Sequence, residues 1–593
     1  MQEAVSLDAA AHRGRRLKLL AARARAAAPT LAETLCAVAS ALLLLLAFPD
    51  FGAWPLAWAA FVPLLFVVAR RPRAPQSFLL GLAAGTLFFY TSCHWLTFPM
   101  IRYAEIPAPL ANVLLLPAAL AGGVFTALFT LALARLCARF GSGALFLAAP
   151  LWAALEWARL GVIGQLWNAV GYSQAFVPTL IQAARFGGVY AVGFLVLAFN
   201  AALAYFLLRR DARAALVSLA AVACVALVLI ASHLTATRET EGTPGALVVA
   251  VQPNIVPDFK RTASEYAALD ARHFETSAAA LRAIDEGSVV LGASAQDNAG
   301  ASASDNAGAS LPNEVGDGGA RASVSTPPVV MPQSASRAAV SKLPRVVVWP
   351  ESPMNFSFAH DAEFRDEVSR FVRVNRTSLL FNSLEPTAEG GGYNAAVLVN
   401  EEGRLAAHYD KIRLMPFGEY VPLPRWMPGA DSLRGVVGDF TPGTQYTLMP
   451  LGGGADAPRA GVFICLESAY PHITRRFAEE GADVLIEITN DAYQGDTAVM
   501  RQHLSNAVFR AVETGRTLLR VTNTGISAHI TPRGEVTDET GRFQEATRAW
   551  TVARSDGGQT FYVMFGDSFV VACSFVSLLA VALSLRRRRT NVA

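Results

Sequence analysis

Long apolar runs recur along the first 235 residues of this chain, and another run lies near its end. A helix that crosses a bilayer needs about 20 mostly apolar residues, because ~1.5 Å per residue must cover ~30 Å of hydrocarbon. A soluble core does not repeat such runs back to back, and only 16% of the 593 residues are charged, against about 25% in soluble domains. The sequence therefore predicts a polytopic α-helical membrane domain with eight spans, at 31–49, 54–69, 77–97, 109–134, 143–158, 187–208, 214–232 and 561–585.

The positive charges between these spans predict their orientation, because Lys and Arg accumulate in cytoplasmic loops. With the N-terminus inside, the inside segments carry 18 positive residues and the short outside loops carry three, Arg102, Arg159 and Arg185. We therefore expect both termini in the cytoplasm and residues 233–560 outside it. The inside residues are Arg13, Arg15, Arg16, Lys18, Arg23, Arg25, Arg70, Arg71, Arg73, Arg135, Arg139, Arg209, Arg210, Arg213, Arg586, Arg587, Arg588 and Arg589.

The region from 233 to 560 has a different pattern, in which short β-branched runs alternate with helical stretches. This alternation predicts an extracytoplasmic α/β domain with helices on its sheet. Residues 287–343 interrupt it with a segment rich in Ala, Ser, Gly, Asp and Asn. Such a segment buries too little apolar surface to offset its ordering entropy, so we predict a disordered low-complexity insertion. The other predicted segments are a cytoplasmic N-tail (1–30), a seven-span domain (31–232) and a C-terminal span with a basic tail (561–593).

The predicted elements of this α/β domain are eight strands and three helices. The strands are Ala246–Val251, Arg345–Trp349, Ser378–Asn382, Ala395–Val399, Gly461–Cys465, Asp483–Ile488, Leu518–Thr522 and Ile526–Thr531, and the helices are 262–286, 361–374 and 497–515.

Cys465 is the one cysteine of six that lies outside the predicted spans and their ends. A lone thiol outside the cytoplasm is either a reactive group or an inert residue of the core. No histidine pair has the spacing of a metal site, and no glycine-rich loop carries a phosphate-binding lysine. The net charge of +3 also argues against a nucleic-acid binder. We therefore expect no metal, no other cofactor and no nucleic-acid partner.

Three predicted strand ends carry polar groups that a buried sheet does not need. They are Glu351 after Val346–Trp349, Lys411 in the run 408–422, and Cys465 after Val462–Ile464. Open α/β sheets place their sites at strand ends. A thiol with an ordinary pKa of ~8.5 needs a base, which Glu351 supplies, while Lys411 stabilises a thiolate or an oxyanion. The set predicts acyl transfer through a thioester, although each residue alone also fits a structural role as a helix cap, a surface cation or a core thiol.

These residues stand within longer motifs that resemble the carbon-nitrogen hydrolase (nitrilase) superfamily. With seven spans before the domain and one after it, the chain resembles its membrane-bound branch, the apolipoprotein N-acyltransferase family. The resemblance covers nearly the whole chain apart from the N-tail and the insertion. The motifs that carry it are Trp349-Pro350-Glu351, Lys411–Pro422, Ile464-Cys465-Leu466-Glu467, Thr489–Ala492, Arg510–Arg516, Leu155-Glu156-Trp157, Gly171-Tyr172-Ser173-Gln174 and Val251–Ile255.

The resemblance implies a role for each of five residues. Glu351 is the proton acceptor, Lys411 the stabiliser of the oxyanion and thiolate, and Cys465 the nucleophile. Glu419 and Glu467 support the site, or alternatively form ordinary ion pairs with neighbouring Arg or Lys.

The resemblance also implies an α-β-β-α sandwich and an enzyme of a bacterial inner membrane, with its catalytic domain in the periplasm. An acyl chain from a phospholipid passes through a cysteine thioester to the α-amino group of the N-terminal diacylglyceryl-cysteine of an apolipoprotein. Both substrates and the bilayer are thus the expected partners, and we expect a monomer.

Four aromatic residues, Trp167, Phe417, Tyr420 and Trp426, are predicted where a lipid enters, because aromatic rings favour the membrane interface. General anchoring explains each of them equally well.

Three positions depart from the family pattern. Leu466 replaces a frequent Tyr, Tyr493-Gln494 replaces a Trp-Phe pair, and Arg261 occupies the place of a Trp. Two other functions stay open at this stage. One is a membrane-tethered amidase or nitrilase that uses water as acceptor, and the other is a transporter or assembly factor with a decayed hydrolase domain.

Overall fold

The computed structural model describes residues 28–164, 166–236, 242–258, 260–291, 328–331, 342–351, 354, 356–387, 391–422, 424, 426–427, 439–454 and 456–586. The predicted N-tail up to residue 27 and most of the predicted insertion lie outside these residues. The fold divides into two units. The helical unit comprises Met1–Gln174, Val189–His233 and Asp567–Ala593, and the α/β unit comprises Ala175–Gly188 and Leu234–Gly566.

Apolar helices make up the described part of the helical unit. Five are long and apolar enough to cross a membrane, or six if Ala74–Ser92 and His94–Arg102 form one span bent by 56°. Two more, Leu31–Ala47 and Trp54–Arg70, are apolar but shorter. The count of eight spans therefore remains a prediction. The α-helices that lie wholly or mostly in this unit are Leu31–Ala47, Ala57–Ala60, Val62–Arg70, Ala74–Ser92, Thr97–Arg102, Ala108–Phe140, Ala148–Ile163, Ala184–Arg209, Ala212–Thr235 and Ser568–Leu585.

Small residues bring the helices Ala74–Ser92 and Ala108–Phe140 into close contact. A Cβ atom on Gly85 would lie 2.5 Å from Thr126 Oγ1, and one on Gly123 would lie 2.4 Å from Thr86 Oγ1. Apolar lipid offers little hydrophobic drive for helix association, so such close backbone packing is a main source of it in membranes.

Two β-sheets form the centre of the α/β unit. Their orders are β2-β3-β14-β1-β4-β5-β6-β7 and β13-β12-β11-β10-β9-β8. The strands are β1 Pro244–Gln252, β2 Val290–Leu291, β3 Val329–Met331, β4 Arg345–Val348, β5 Ser378–Pro386, β6 Gly392–Val399, β7 Leu405–Asp410, β8 Leu448–Pro450, β9 Arg459–Ile464, β10 Val484–Thr489, β11 Thr517–Thr522, β12 Ala528–Ile530, β13 Val536–Glu539 and β14 Ala546–Ala553.

Parallel pairing runs through the middle of both sheets. In the first sheet β1, β4 and β5 are parallel, and in the second β9, β10 and β11 are parallel. Antiparallel pairs flank these strands, as between β6 and β7 and between β12 and β13, whereas β2 and β3 at one edge of the first sheet are parallel. The central strands are buried along almost their whole length, which is typical of parallel strands covered on both faces.

Helices cover the outer faces of the two sheets. Ala263–Glu286 and Ala362–Asn375 pack on the first sheet, and Pro471–Glu479 and Val499–Thr514 pack on the second. Contacts of β1 with β11 and of β6 with β9 join the sheets to each other. The unit is therefore layered as helix, sheet, sheet and helix. Two short helices, Pro178–Ile181 and Phe561–Phe565, also belong to it.

The aromatic core under the first sheet fixes the chain just before Glu351. Trp349 is fully buried, and its Nε1 donates to Ser277 Oγ at 2.9 Å. Its backbone N donates to Leu380 O at 2.9 Å and so continues the pairing of β4 with β5 beyond the end of β4. Because Trp349 is held at both its ring and its backbone, the following Glu351 leaves the sheet in a defined direction.

All eight strands and three helices predicted for this unit are present, with ends shifted by a few residues. The structure adds β2 and β3, two short strands inside the predicted insertion, which pair with each other. It also places Ala175–Gly188 in the α/β unit, whereas the sequence assigned these residues to the membrane domain.

Candidate active site

Three strands from two sheets deliver the predicted reactive groups. Glu351 follows β4 by three residues, and Lys411 comes directly after β7, so both belong to the first sheet. Cys465 comes directly after β9 in the second sheet. The three residues therefore come from strand ends of both sheets.

Lys411 is buried between two carboxylates. Its Nζ lies 2.9 Å from Glu419 Oε1 and 3.3 Å from Glu351 Oε1, and the side chain is 1% exposed. Burial alone lowers the pKa of a lysine, but the negative charges of Glu351 and Glu419 outweigh it and raise the pKa of Lys411 well above its usual value. The ammonium is therefore a fixed cation at any physiological pH.

Asn394 connects the same two carboxylates from β6. Its Nδ2 donates to Glu351 Oε1 at 3.0 Å and to Glu419 Oε1 at 2.5 Å. Asn382 on β5 donates to Asn394 Oδ1 at 2.6 Å, which fixes the amide in this orientation. On its other side, Glu351 Oε2 accepts from the backbone N of Asn490 at 3.2 Å. The carboxylate of Glu351 is thus oriented by three donors, one of which is the lysine.

Cys465 begins a short 3-10 helix, Cys465–Ala469, with a φ of 55°. This left-handed conformation is uncommon for a residue with a side chain and persists where the surroundings hold it. Burial and the charge of Glu351 raise the pKa of the thiol well above its usual value, against Lys411 and Thr489, which lower it. The resting side chain is therefore a neutral thiol, which would need a base in order to attack as a nucleophile.

Glu467 ties the turn of Cys465 to the segment that follows Lys411. Its Oε2 accepts from Ile464 N at 2.8 Å, while its Oε1 accepts from the backbone N of Ile412 at 2.8 Å and of Arg413 at 3.0 Å. Tyr409 OH also donates to Oε1 at 2.8 Å. Burial raises the pKa of Glu467, and the backbone donors oppose this. Its described partners are amides and a phenol, whereas Glu419 pairs with a lysine.

A layer of four charged groups lies on the second sheet beside Cys465. Arg520 donates to Glu487 Oε2 at 2.5 Å and to Asp491 Oδ2 at 2.7 Å. His503 Nδ1 lies 2.7 Å from Asp491 Oδ1, and its Nε2 lies 3.1 Å from the Cys465 carbonyl oxygen. All four side chains are buried.

The four predicted lipid-access residues occupy different environments. In the α/β unit, Trp426 is 80% exposed, Phe417 is 57% exposed with a φ of 59°, and Tyr420 is half-buried. In the helical unit, Trp167 is buried, and its ring centroid lies 5.5 Å from that of Trp95. Their role in lipid access stays a prediction.

The departures from the family pattern lie in the α/β unit. Leu466 is half-buried and Gln494 is buried. Arg261 is half-buried, and its guanidinium donates to Val256 O at 2.7 Å. The hydrogen bonds described above to Glu351 and Lys411 come from other residues.

Sequence reasoning missed several residues that orient the site. Asn394 had no signal, because an Asn in a strand is common, and Tyr409 lies inside the run 408–422, where nothing distinguished it from its neighbours. Asn490 lies inside the quoted motif Thr489–Ala492, and that motif was the signal that it serves the site. Among the described residues, no group of three or more His, Cys, Asp or Glu side chains is arranged to hold a metal ion.

Comparison with known proteins identifies two family regions in the chain. Residues 40–202 match the model of the apolipoprotein N-acyltransferase N-terminal domain, and residues 330–562 match that of the carbon-nitrogen hydrolase domain. The apolipoprotein N-acyltransferase of Geobacter metallireducens is 30% identical over 570 residues, which cover 94% of this chain and 96% of that protein. The chain belongs to the apolipoprotein N-acyltransferase family.

Other relatives extend this comparison. The family member of Bradyrhizobium diazoefficiens is 29% identical over 94% of this chain and 95% of its own length. Among solved structures, an amidase from Nesterenkonia sp. AN1 has a TM-score of 0.33 and 15% identity, with 56% of this chain and 97% of that chain covered.

Proposed function

We propose that this protein transfers an acyl chain from a membrane phospholipid to the α-amino group of an apolipoprotein's N-terminal diacylglyceryl-cysteine, with Cys465 as nucleophile. Family membership supports the reaction class. The observation that carries the mechanism is the fixed pair of Glu351 and the buried ammonium of Lys411, whose Nζ lies 3.3 Å from Glu351 Oε1, beside the turn of Cys465.

In the first half-reaction, Cys465 Sγ attacks the ester carbonyl carbon of the phospholipid while its proton passes to Glu351. The ammonium of Lys411 stabilises the oxyanion of the tetrahedral intermediate, because a preorganised charge in a buried site needs no reorganisation. The ester C–O bond then breaks, Glu351 returns the proton to the leaving oxygen, and a lysophospholipid departs. The thioester on Cys465 remains.

In the second half-reaction, the amine of the diacylglyceryl-cysteine attacks the thioester carbonyl. Glu351 accepts the amine proton, the C–S bond breaks, and the proton passes to Cys465. Because its pKa is raised, the resting thiol keeps its proton until a base removes it. Glu351 is that base in the first half-reaction, and it accepts the amine proton in the second.

A labelling experiment tests the thioester. The full-length protein in detergent is incubated with a phospholipid that carries a radiolabelled acyl chain, and the label on the protein is treated with neutral hydroxylamine. We expect a hydroxylamine-sensitive label that is lost in Cys465→Ser and retained in the matched control Cys224→Ser, since Cys224 is an exposed thiol of the helical unit. A label that survives in Cys465→Ser would contradict the proposal.

The acceptor is tested in the same preparation. A synthetic diacylglyceryl-cysteine peptide should discharge the labelled protein and become N-acylated, whereas the same peptide with an acetylated amine should leave the label in place. Discharge at equal rates with and without the peptide would instead indicate that water is the acceptor, as in an amidase.

We also propose the location that the sequence predicts, a bacterial inner membrane with cytoplasmic termini and the α/β unit in the periplasm. Family membership and the five long apolar helices support a membrane protein. The exposed side chains of Phe417 and Trp426 fit a role in lipid access, because exposed aromatic rings favour the headgroup level. Cysteine-accessibility labelling of a single-cysteine variant at the C-terminus, with intact and permeabilised cells, tests the orientation.

A further inference from the structure

His503 is a buried histidine whose two ring nitrogens both face oxygen acceptors. Nδ1 lies 2.7 Å from Asp491 Oδ1. Nε2 lies 3.1 Å from the carbonyl oxygen of Cys465 and 3.1 Å from Glu487 Oε1. A neutral imidazole has one N–H and one lone pair, so in either tautomer one nitrogen would direct a lone pair at an oxygen. Only the imidazolium donates on both sides.

The charges around this ring balance when it is protonated. Arg520 pairs with Glu487 through one guanidinium nitrogen and with Asp491 through another. Two carboxylates thus face one arginine and one histidine, and all four side chains are buried. A neutral His503 would leave one uncompensated negative charge in the interior, which is costly at low dielectric.

The bond to the Cys465 carbonyl oxygen places this charge layer directly on the nucleophile. Cys465 has the left-handed φ of 55° described above, a conformation that is uncommon for a residue with a side chain and needs support. The His503 bond supports the turn from its carbonyl side, and Glu467 supports it from the N–H of Ile464. The negative charge of Asp491 acts on the thiol, whose pKa it raises.

We propose that His503, as an imidazolium at neutral pH, is a positioning residue that holds the turn of Cys465 through its carbonyl oxygen and cancels the charge of Asp491 near the thiol. This inference rests on the proposed role of Cys465 as nucleophile. The pKa of His503, raised to about 9 because Asp491 and Glu487 outweigh burial and Arg520, agrees with the geometry.

The test measures the thiol itself and needs no acyl donor. Full-length protein in detergent is treated with iodoacetamide at a series of pH values, and mass spectrometry follows alkylation of the peptide that contains Cys465. The variants are His503→Gln and the control His529→Gln. His529 is a matched control because it lies in the same unit, its pKa is lowered to about 4 by burial, and its Nδ1 contacts the hydroxyl of Thr537 at 2.7 Å.

We expect His503→Gln to alkylate Cys465 about tenfold more slowly than wild type at pH 7.5, with the rate profile displaced to higher pH by about one unit. His529→Gln should react at the wild-type rate. The charge-balanced double variant His503→Gln/Asp491→Asn should recover most of the lost rate, because it removes one charge of each sign. Recovery also supports the proposal if the single variant does not fold.

A wild-type rate and profile in a cooperatively melting His503→Gln would overturn the proposal. So would a double variant that folds and remains tenfold slow, since charge balance would then not govern the thiol. These outcomes are independent of the acyl-transfer proposal, which fails separately if wild-type protein takes up no label from phospholipid.

Discussion

Substitution of Glu419 by glutamine tests how this carboxylate supports the site, because three hydrogen-bond donors converge on it. Lys411 Nζ and Asn394 Nδ2 donate to Oε1, and the backbone N of Met415 donates to Oε2 at 2.7 Å. A glutamine has one acceptor oxygen. If that oxygen faces Lys411, the amide NH₂ faces the N–H of Met415, and a buried donor is left without an acceptor. That loss costs about 1–3 kcal/mol.

The same change weakens the support of the base. With Glu419 neutral, the ammonium of Lys411 has Glu351 as its remaining described carboxylate partner, so the pair tightens and Glu351 becomes a poorer proton acceptor. Since about 1.4 kcal/mol corresponds to a factor of ten, we expect Glu419→Gln to slow thioester formation by about ten- to a hundredfold. The melting temperature should fall by a few degrees.

Single-turnover labelling with radiolabelled phospholipid measures this step, and differential scanning fluorimetry measures the stability. Glu539→Gln is the matched control, because Glu539 forms a partly exposed ion pair with Arg501 in the same unit, and such pairs contribute about 0–1 kcal/mol. A Glu419→Gln protein that forms the thioester at the rate of this control would refute the argument that Glu419 holds Lys411 off the base.

Three further predictions follow from the described contacts. Glu467→Gln should lower the melting temperature and reduce iodoacetamide reactivity at Cys465, since a single amide oxygen cannot serve all four donors; an unchanged melting curve would contradict this. The imidazolium of His503 contributes its full stabilisation below a pH of about 6.5, and this stabilisation is lost as the pH rises through about 9. The melting temperature of the wild type should therefore fall more between pH 8 and 10 than that of His503→Gln. Gly443→Ala should reduce acyl transfer, because its Cβ would lie 2.1 Å from the carbonyl oxygen of Asp410, next to Lys411. The control Gly453→Ala should not reduce it, because the space around Gly453 is open. Equal activities of the two variants would show that the loop adjusts freely.

Two of the three proposed catalytic residues, Glu351 and Cys465, could be singled out from sequence because each follows an apolar run. Val346–Val348 and Val462–Ile464 read as strands, and a carboxylate or a thiol after such a strand is conspicuous. The residues that orient these groups were not predictable, because their partners are distant in the chain. Asn394 lies 43 residues from Glu351, to which it donates, and nothing near it in sequence signals that contact.

The missed elements have a similar explanation. The strand Ala546–Ala553 lacks strict alternation of apolar and polar residues, yet it pairs along almost its whole length with β1. Its conformation is set by that neighbour across the sheet, since β-propensity depends strongly on context. The helix Pro471–Glu479 has nine residues, too short for its periodicity to stand out between two strands.

The tie made by Glu467 has a consequence for the order in which the chain becomes reactive. Glu467 lies two residues after Cys465. Its Oε1 accepts hydrogen bonds from the amides of Ile412 and Arg413, which follow β7 of the other sheet. A nascent or partly opened chain in which the sheets have not met carries Cys465 without its base and its cation. The proposed acyl transfer therefore requires both sheets to be in place, because the thiol and the two groups that would act on it come from different sheets.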